Sequence, residues 1–215
     1  MQAIILSRRD FREYDQIISV YTKEQGKLEL LARGIKKITS KNSAHIEPFS
    51  VVDIDIAEGH EINHLTKVQP VEYFKNIRQD LQKSLAAQYV VSITDKFVQV
   101  GERDERIFEG LKTWLEFLNI PISQYPNILI IDCYIVELLY CLGFAMSEDP
   151  KMKRWKQKLE IMERGDWQVV AQLEYDEQLH KKIYEFLLYH TERKVPDWAK
   201  TCMIEPNLVV SMNDK

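Results

Sequence analysis

Ile17-Ile18-Ser19-Val20-Tyr21, a break at Gly26, and Lys27-Leu28-Glu29-Leu30-Leu31 decide the fold: both runs are rich in β-branched and aliphatic residues at period two. Working outward, Ile4-Ile5-Leu6, Val51-Val52-Asp53-Ile54-Asp55-Ile56 and His64-Leu65-Thr66-Lys67-Val68 read the same way, with further breaks at Gly34, Pro48 and Gly59. Five short strands within about 75 residues predict a small closed barrel of the OB type. After Tyr73 the spacing becomes helical. Ile77, Leu81, Leu85, Tyr89, Ile93 and Phe97 mark one helix, and Ile107, Phe108, Leu111, Leu115 and Leu118 a second, stopped by Pro121. Ile128 to Leu142 reads as a mostly buried helix ended by Gly143, Asp149 to Glu163 as a charged helix, and Asp176 to Thr191 as a last amphipathic one after the turn at Gly165-Asp166. The expected class is α+β: residues 1–75 an OB-fold nucleic-acid-binding domain, residues 76–215 an all-α helical domain.

Charge is segregated along the 215 residues. The net charge is −4, but residues 1–45 hold nine Lys/Arg against five Asp/Glu, and residues 46–80 three against seven. The basic side chains Arg33, Lys36, Lys37 and Lys41 crowd a turn around Gly34, with Arg8, Arg9 and Lys27 on nearby strands. Such side chains are rarely buried, so they are expected to form one exposed cationic face suited to phosphate. If about four of them touch single-stranded phosphates, the log–log salt slope is near about −3. Among the rings, Phe11 and Tyr14 lie between charges and are the candidates for stacking on bases, whereas Tyr21 and Phe49 are expected in the core.

Other chemistry is thinly supported. His60-Glu61-Ile62-Asn63-His64 matches the HExxH pattern of zinc proteases, which needs a helix to bring both rings to one metal; between two strands, residues four apart are separated by about 13 Å. Cys133, Cys141 and Cys202 are widely spaced, without a CxxC pair, and fit reduced thiols in the cytoplasm. Glycine-rich phosphate loops and GxSxG are missing, so no catalytic residue, metal or cofactor is expected. Asp132 and Glu137 inside the most apolar run argue against a membrane span. His45, His180 and His190 are isolated and expected at the surface or on polar helix faces. Trp155 amid Lys151, Lys153, Arg154, Lys156 and Lys158 reads as a solvated basic helix that could also meet phosphate or an acidic peptide.

Several segments together resemble the RecO family of bacterial recombinational-repair mediators. They are Ile5-Leu6-Ser7-Arg8-Arg9-Asp10, Glu13-Tyr14-Asp15, Tyr21-Thr22-Lys23-Glu24-Gln25-Gly26-Lys27, Arg33-Gly34-Ile35-Lys36-Lys37 with Ser40, and Pro48-Phe49-Ser50, followed in the helical half by Glu137-Leu138-Leu139 and Leu142-Gly143-Phe144. The resemblance implies an OB-fold followed by helices, binding and annealing of single- and double-stranded DNA, association with RecR, recruitment by the acidic tail of single-stranded-DNA-binding protein, and loading of RecA. Many family members carry four zinc cysteines after the Leu-Gly-aromatic motif; here Ala145-Met146-Ser147-Glu148-Asp149 runs on without them, so the likeness is to a zinc-free version. Two rival readings stand beside it: an OB-fold adaptor without DNA affinity, and the HExxH metalloprotease.

Overall fold

A computed structural model describes residues 1–37, 40, 43–121, 128–170, 173–191 and 195–201 of the chain. The period-two runs form β1 (Gln2–Asp10), β2 (Gln16–Thr22), β3 (Gly26–Ala32), β4 (Val51–Ala57) and β5 (Asn63–Glu72), closed in the order β1-β2-β3-β5-β4. All pairings are antiparallel except β3 with β5, where Leu30 faces Asn63 and Leu31 faces His64; this parallel contact closes the barrel. That is the OB arrangement expected from the sequence. Ala3, Ile5, Ile18, Val20, Leu30, Val52, Ile54 and Leu65 fill the interior. Ile4, Leu6, Tyr21, Phe49 and Val51 point the other way, into the core that the helices share. Residues 3–6 are therefore buried on both faces, which is why β1 begins as an unbroken apolar run.

The helices are α1 (Lys75–Arg78), α2 (Leu81–Phe97), α3 (Glu105–Leu118), α4 (Ile128–Cys141), α5 (Lys156–Glu163), α6 (Trp167–Val170), α7 (Glu177–Thr191) and α8 (Trp198–Thr201). Four differ from expectation. The first predicted helix is broken, because the Asp80 carboxylate accepts from the backbone N–H of Gln82 and Lys83 and starts α2 afresh; Leu81 consequently points to solvent, 72% exposed. Asp149 to Glu163 begins as a 3-10 helix over Pro150–Trp155, with Asp149 as its cap, and becomes α-helical only from Lys156. The four-residue α6 and α8 are too short to show a period. Elsewhere the punctuation holds: α3 stops before Pro121, and Gly143 at φ 91° turns the chain after α4 so that the Phe144 N–H reaches the Leu139 carbonyl at 2.8 Å. Among the described residues no helix is long and apolar enough to cross a membrane.

The barrel is clamped to α2 and α3 by polar contacts. Asp95 on α2 accepts from Ser7 Oγ at 2.7 Å, Ser19 Oγ at 2.6 Å and Lys27 Nζ at 3.0 Å. Tyr21 Oη donates to the Asp104 carbonyl and accepts from the Asp104 N–H, both at 3.0 Å, so one hydroxyl ties β2 to the start of α3. Gly26, at φ 69°, packs so tightly on residues 102–103 that a Cβ there would lie 2.0 Å from the Glu102 carbonyl oxygen. Any larger residue forces the β2–β3 turn off the helical layer.

His180 also departs from expectation: it is 4% exposed, with Nδ1 2.9 Å from Asp132 and Nε2 3.3 Å from Asp197. Trp198 donates its indole N–H to Asp132 at 2.9 Å and stands edge-on to the imidazole, so α8 is held in the bundle through this buried polar group. Burial opposes protonation of His180, and the two carboxylates outweigh it and hold the imidazole above its ordinary range.

Candidate nucleic-acid interface

The β1–β2 hairpin ends in residues 11–15, closed by the Phe11 N–H on the Asp15 carbonyl at 3.0 Å, with Arg12 in the left-handed region at φ 65°. β3 exits into residues 33–37, where Gly34 at φ 63° reverses the chain and Lys37 N–H reaches the Gly34 carbonyl at 3.1 Å. The two loops are bonded to each other: Gly34 N–H donates to Asp15 Oδ1 at 2.7 Å and Lys36 N–H to the Tyr14 carbonyl at 3.1 Å. Ile35 drops into the barrel interior, 4% exposed, which turns its neighbours Lys36 and Lys37 outward. Sequence-distant cations and rings thus meet on one knuckle. Arg12 lies 5.1 Å from the Phe11 ring centre and Lys37 Nζ 5.6 Å from that of Tyr14. Phe11 and Tyr14 are 36% and 46% exposed, whereas Tyr21 and Phe49 are buried, as expected of each pair.

The other cations fall into three groups. Arg8 pairs with Glu47 at 2.8 Å, Arg9 with Glu29 at 3.4 Å and Lys36 with Asp10 at 2.7 Å, all of them solvent-accessible pairs. A hydrogen bond from Gln16 and the Lys36 ammonium hold the Asp10 carboxyl below its usual range. Arg33 meets His64 Nε2 at 3.4 Å and has no acidic partner among the described residues. Lys27 is a correction. It is 8% exposed, with its ammonium on Asp95 and on the carbonyls of Asp95 and Val98, so it belongs to the barrel–helix clamp and not to the exposed face. Lys41 lies outside the described residues. Arg12 was missed by the sequence reading, although its place between Phe11 and Tyr14 in the first hairpin was the available signal.

OB-folds bind oligonucleotides on the face of strands 2 and 3 and on the loops after strands 1 and 4. Here α2 covers that face where Ser19 and Lys27 reach Asp95, which leaves open the end carrying residues 9–14, 33–37 and the 58–62 loop. The 58–62 loop carries the first three residues of the HExxH match. Residues 60–62 form its bend and Asn63 and His64 already lie in β5, so the helix required of a zinc protease is absent, and no group of three or more His, Cys, Asp or Glu among the described residues could hold a metal ion. The basic segment near Trp155 is pinned down: the indole N–H donates to Asp176 at 2.7 Å, Lys158 to the Glu174 carbonyl at 2.6 Å, and Lys156 pairs with Glu148 at 3.2 Å. Cys133 is buried in the helical core.

A closed five-stranded barrel with a cationic, ring-bearing end, continued by an α-helical bundle, defines an OB-fold protein with a helical extension. Residues 1–74 match the family model described as Recombination protein O N terminal. The chain is 32% identical over 124 residues to the DNA repair protein RecO of Desulforamulus reducens, which covers 58% of this chain and 48% of that protein. It is 30% identical over 144 residues to the protein of that name from Syntrophomonas wolfei, covering 67% and 56%, and 29% identical over 148 residues to that of a Thermoanaerobacter species, covering 69% and 59%. The chain belongs to the RecO family, and it spans about half the length of the curated relatives it matches.

Proposed function

We propose that this chain is a DNA repair and recombination mediator that binds single- and double-stranded DNA through the barrel end and works by binding, not by catalysis. The observation that carries this is the union of the first hairpin with the β3 exit loop, which gathers Arg9, Arg12, Arg33, Lys36 and Lys37 around Phe11 and Tyr14 on an OB barrel. Cations there draw two phosphate backbones together and lower the repulsion that opposes annealing, while the two rings offer stacking surfaces that do not discriminate between bases. Residues 1–75 are the nucleic-acid-binding unit in this reading. Residues 76–215 supply contacts to RecR and to the acidic tail of single-stranded-DNA-binding protein, through which RecA is loaded, in the cytoplasm where bacterial DNA lies. The names of the relatives support the repair role.

The test is fluorescence anisotropy with an oligonucleotide at two salt concentrations. Reversing Lys36 and Lys37 to Glu raises Kd by about tenfold or more at low salt, because two phosphate contacts are lost and two repulsions gained. Both side chains are exposed, so the melting temperature stays nearly unchanged. An unaltered Kd at low salt rejects the assignment. A wild-type chain without affinity would instead favour a protein-interaction adaptor.

A further inference from the structure

Of the six cations Arg8, Arg9, Arg12, Arg33, Lys36 and Lys37 at this end of the barrel, half are occupied by the protein's own acids. Arg8, Arg9 and Lys36 are each engaged by a carboxylate, while Arg12, Arg33 and Lys37 have none among the described residues. The three acids come from three different segments: Asp10 ends β1, Glu29 lies on β3, and Glu47 follows the short helix at Ser43–His45. Each is solvent-accessible, with side-chain exposures of 64%, 41% and 33%, so none is locked in by burial.

We propose that Asp10, Glu29 and Glu47 are built-in competitors of the nucleic-acid backbone that set the affinity and the salt dependence of this surface. This rests on the nucleic-acid reading above. A phosphate reaches Arg12, Arg33 or Lys37 directly and releases the counterions condensed on the strand. It reaches Arg8, Arg9 or Lys36 only by displacing a carboxylate, which then gathers solvent cations in its turn, so the net release at these three positions is near zero. The surface therefore reports about three phosphate contacts in its salt dependence even when six cations touch the strand. At about 0.7 per contact on single strands, the log–log slope is near about −2 for the wild type. A single phosphate lacks the neighbours needed to displace all three acids, so the arrangement favours a polyanion with regularly spaced charges.

The experiment measures Kd for a fluorescent single-stranded oligonucleotide across a salt series for three forms of the full chain. These are the wild type, the triple variant Asp10→Asn/Glu29→Gln/Glu47→Gln, and a charge-matched control, Asp53→Asn/Asp55→Asn/Glu116→Gln, whose exposed acids pair with no described cation. The control corrects for the general gain from removing three negative charges. Each exposed pair is worth about a 1.5- to 5-fold change in binding constant, so the paired-acid variant binds about tenfold more tightly than the control at moderate salt, and its slope steepens to about −4. The single variant Asp10→Asn, which frees Lys36, steepens the slope by about 0.7 and checks the triple variant independently of its folding. Equal slopes and affinities for the triple variant and the control overturn the proposal while leaving the nucleic-acid reading intact. A wild type that fails to bind at low salt overturns both.

Discussion

Replacing Asp95 by Ala lowers the free energy of unfolding by about 3–5 kcal/mol, the cost of leaving a buried charge without its counter-charge. The carboxylate is the common acceptor for Ser7, Ser19 and Lys27, three residues on three strands, so its loss strips β1, β2 and β3 of one shared partner on α2. The Lys27 ammonium, 10% exposed along its side chain, is left with backbone carbonyls alone. Lys27→Met costs less, because Asp95 keeps both hydroxyl donors. Burial pushes the Asp95 carboxyl up, but hydrogen bonds from Ser19, Ser7 and Lys27 outweigh it and hold the group below its ordinary range. The stability it contributes is present above the unfolded pKa, near about 4, and is lost as pH falls toward the lowered folded value. Urea titration at pH 7 and pH 3 checks both statements: the gap between wild type and Asp95→Ala narrows at the lower pH. A loss below about 1 kcal/mol at pH 7 would reduce the clamp to ordinary surface pairing.

The same clamp explains which parts of the site could be read from the sequence. The barrel was legible because β2 to β5 announce themselves locally, by alternation between glycine or proline breaks, and because Tyr21 and Phe49 sit in apolar or proline-bounded contexts that differ from those of Phe11 and Tyr14. Lys27 was not legible. It stands in a basic stretch, and the residue that buries it lies 68 positions away, on a helix whose docking angle no local pattern encodes. His180 failed for the same reason, since its partner Asp132 is 48 positions distant on another helix. The carboxylates engaging Arg8 and Arg9 are likewise supplied across the sheet or from a loop, so the sequence disclosed where the cations cluster and not how they are balanced. The break before Leu81 is a different kind of miss: its signal, a capping Asp at position 80, was present locally, and the regular spacing of Ile77, Leu81 and Leu85 masked it.

Between about pH 4.5 and pH 8 the protein loses stability through Glu137, and Glu137→Gln abolishes that loss. The side chain leaves α4 toward two glycines: a Cβ on Gly110 of α3 would stand 2.8 Å from Oε1, and one on Gly165, after α5, 2.5 Å. Oε2 is buried without a hydrogen-bond partner among the described residues. Burial alone pushes the carboxyl up to about 8, so near neutral pH the group is mostly a neutral acid wedged between helices, and the bare backbone of each glycine gives it room. The neighbouring thiols of Cys133 and Cys141 and the Tyr134 phenol are themselves held above their ordinary values, so none of them supplies a charge in this range. In the unfolded chain the carboxyl titrates near 4.5, hence the folded state holds the extra proton between the two values and stability falls as pH rises through that window. At about 1.4 kcal/mol per pH unit the accumulated loss by pH 8 is at most about 5 kcal/mol. The amide of Gln keeps the shape without a proton to lose, so the variant matches the wild type at pH 5 within about 1 kcal/mol and exceeds it by several at pH 8. Thermal melts of both proteins across that range read the difference directly, and the titrations of His180 and Asp132, common to both, cancel in it. Parallel curves would mean that the carboxylate is solvated in the folded protein, and the close approach of Gly110 and Gly165 would then serve helix packing alone.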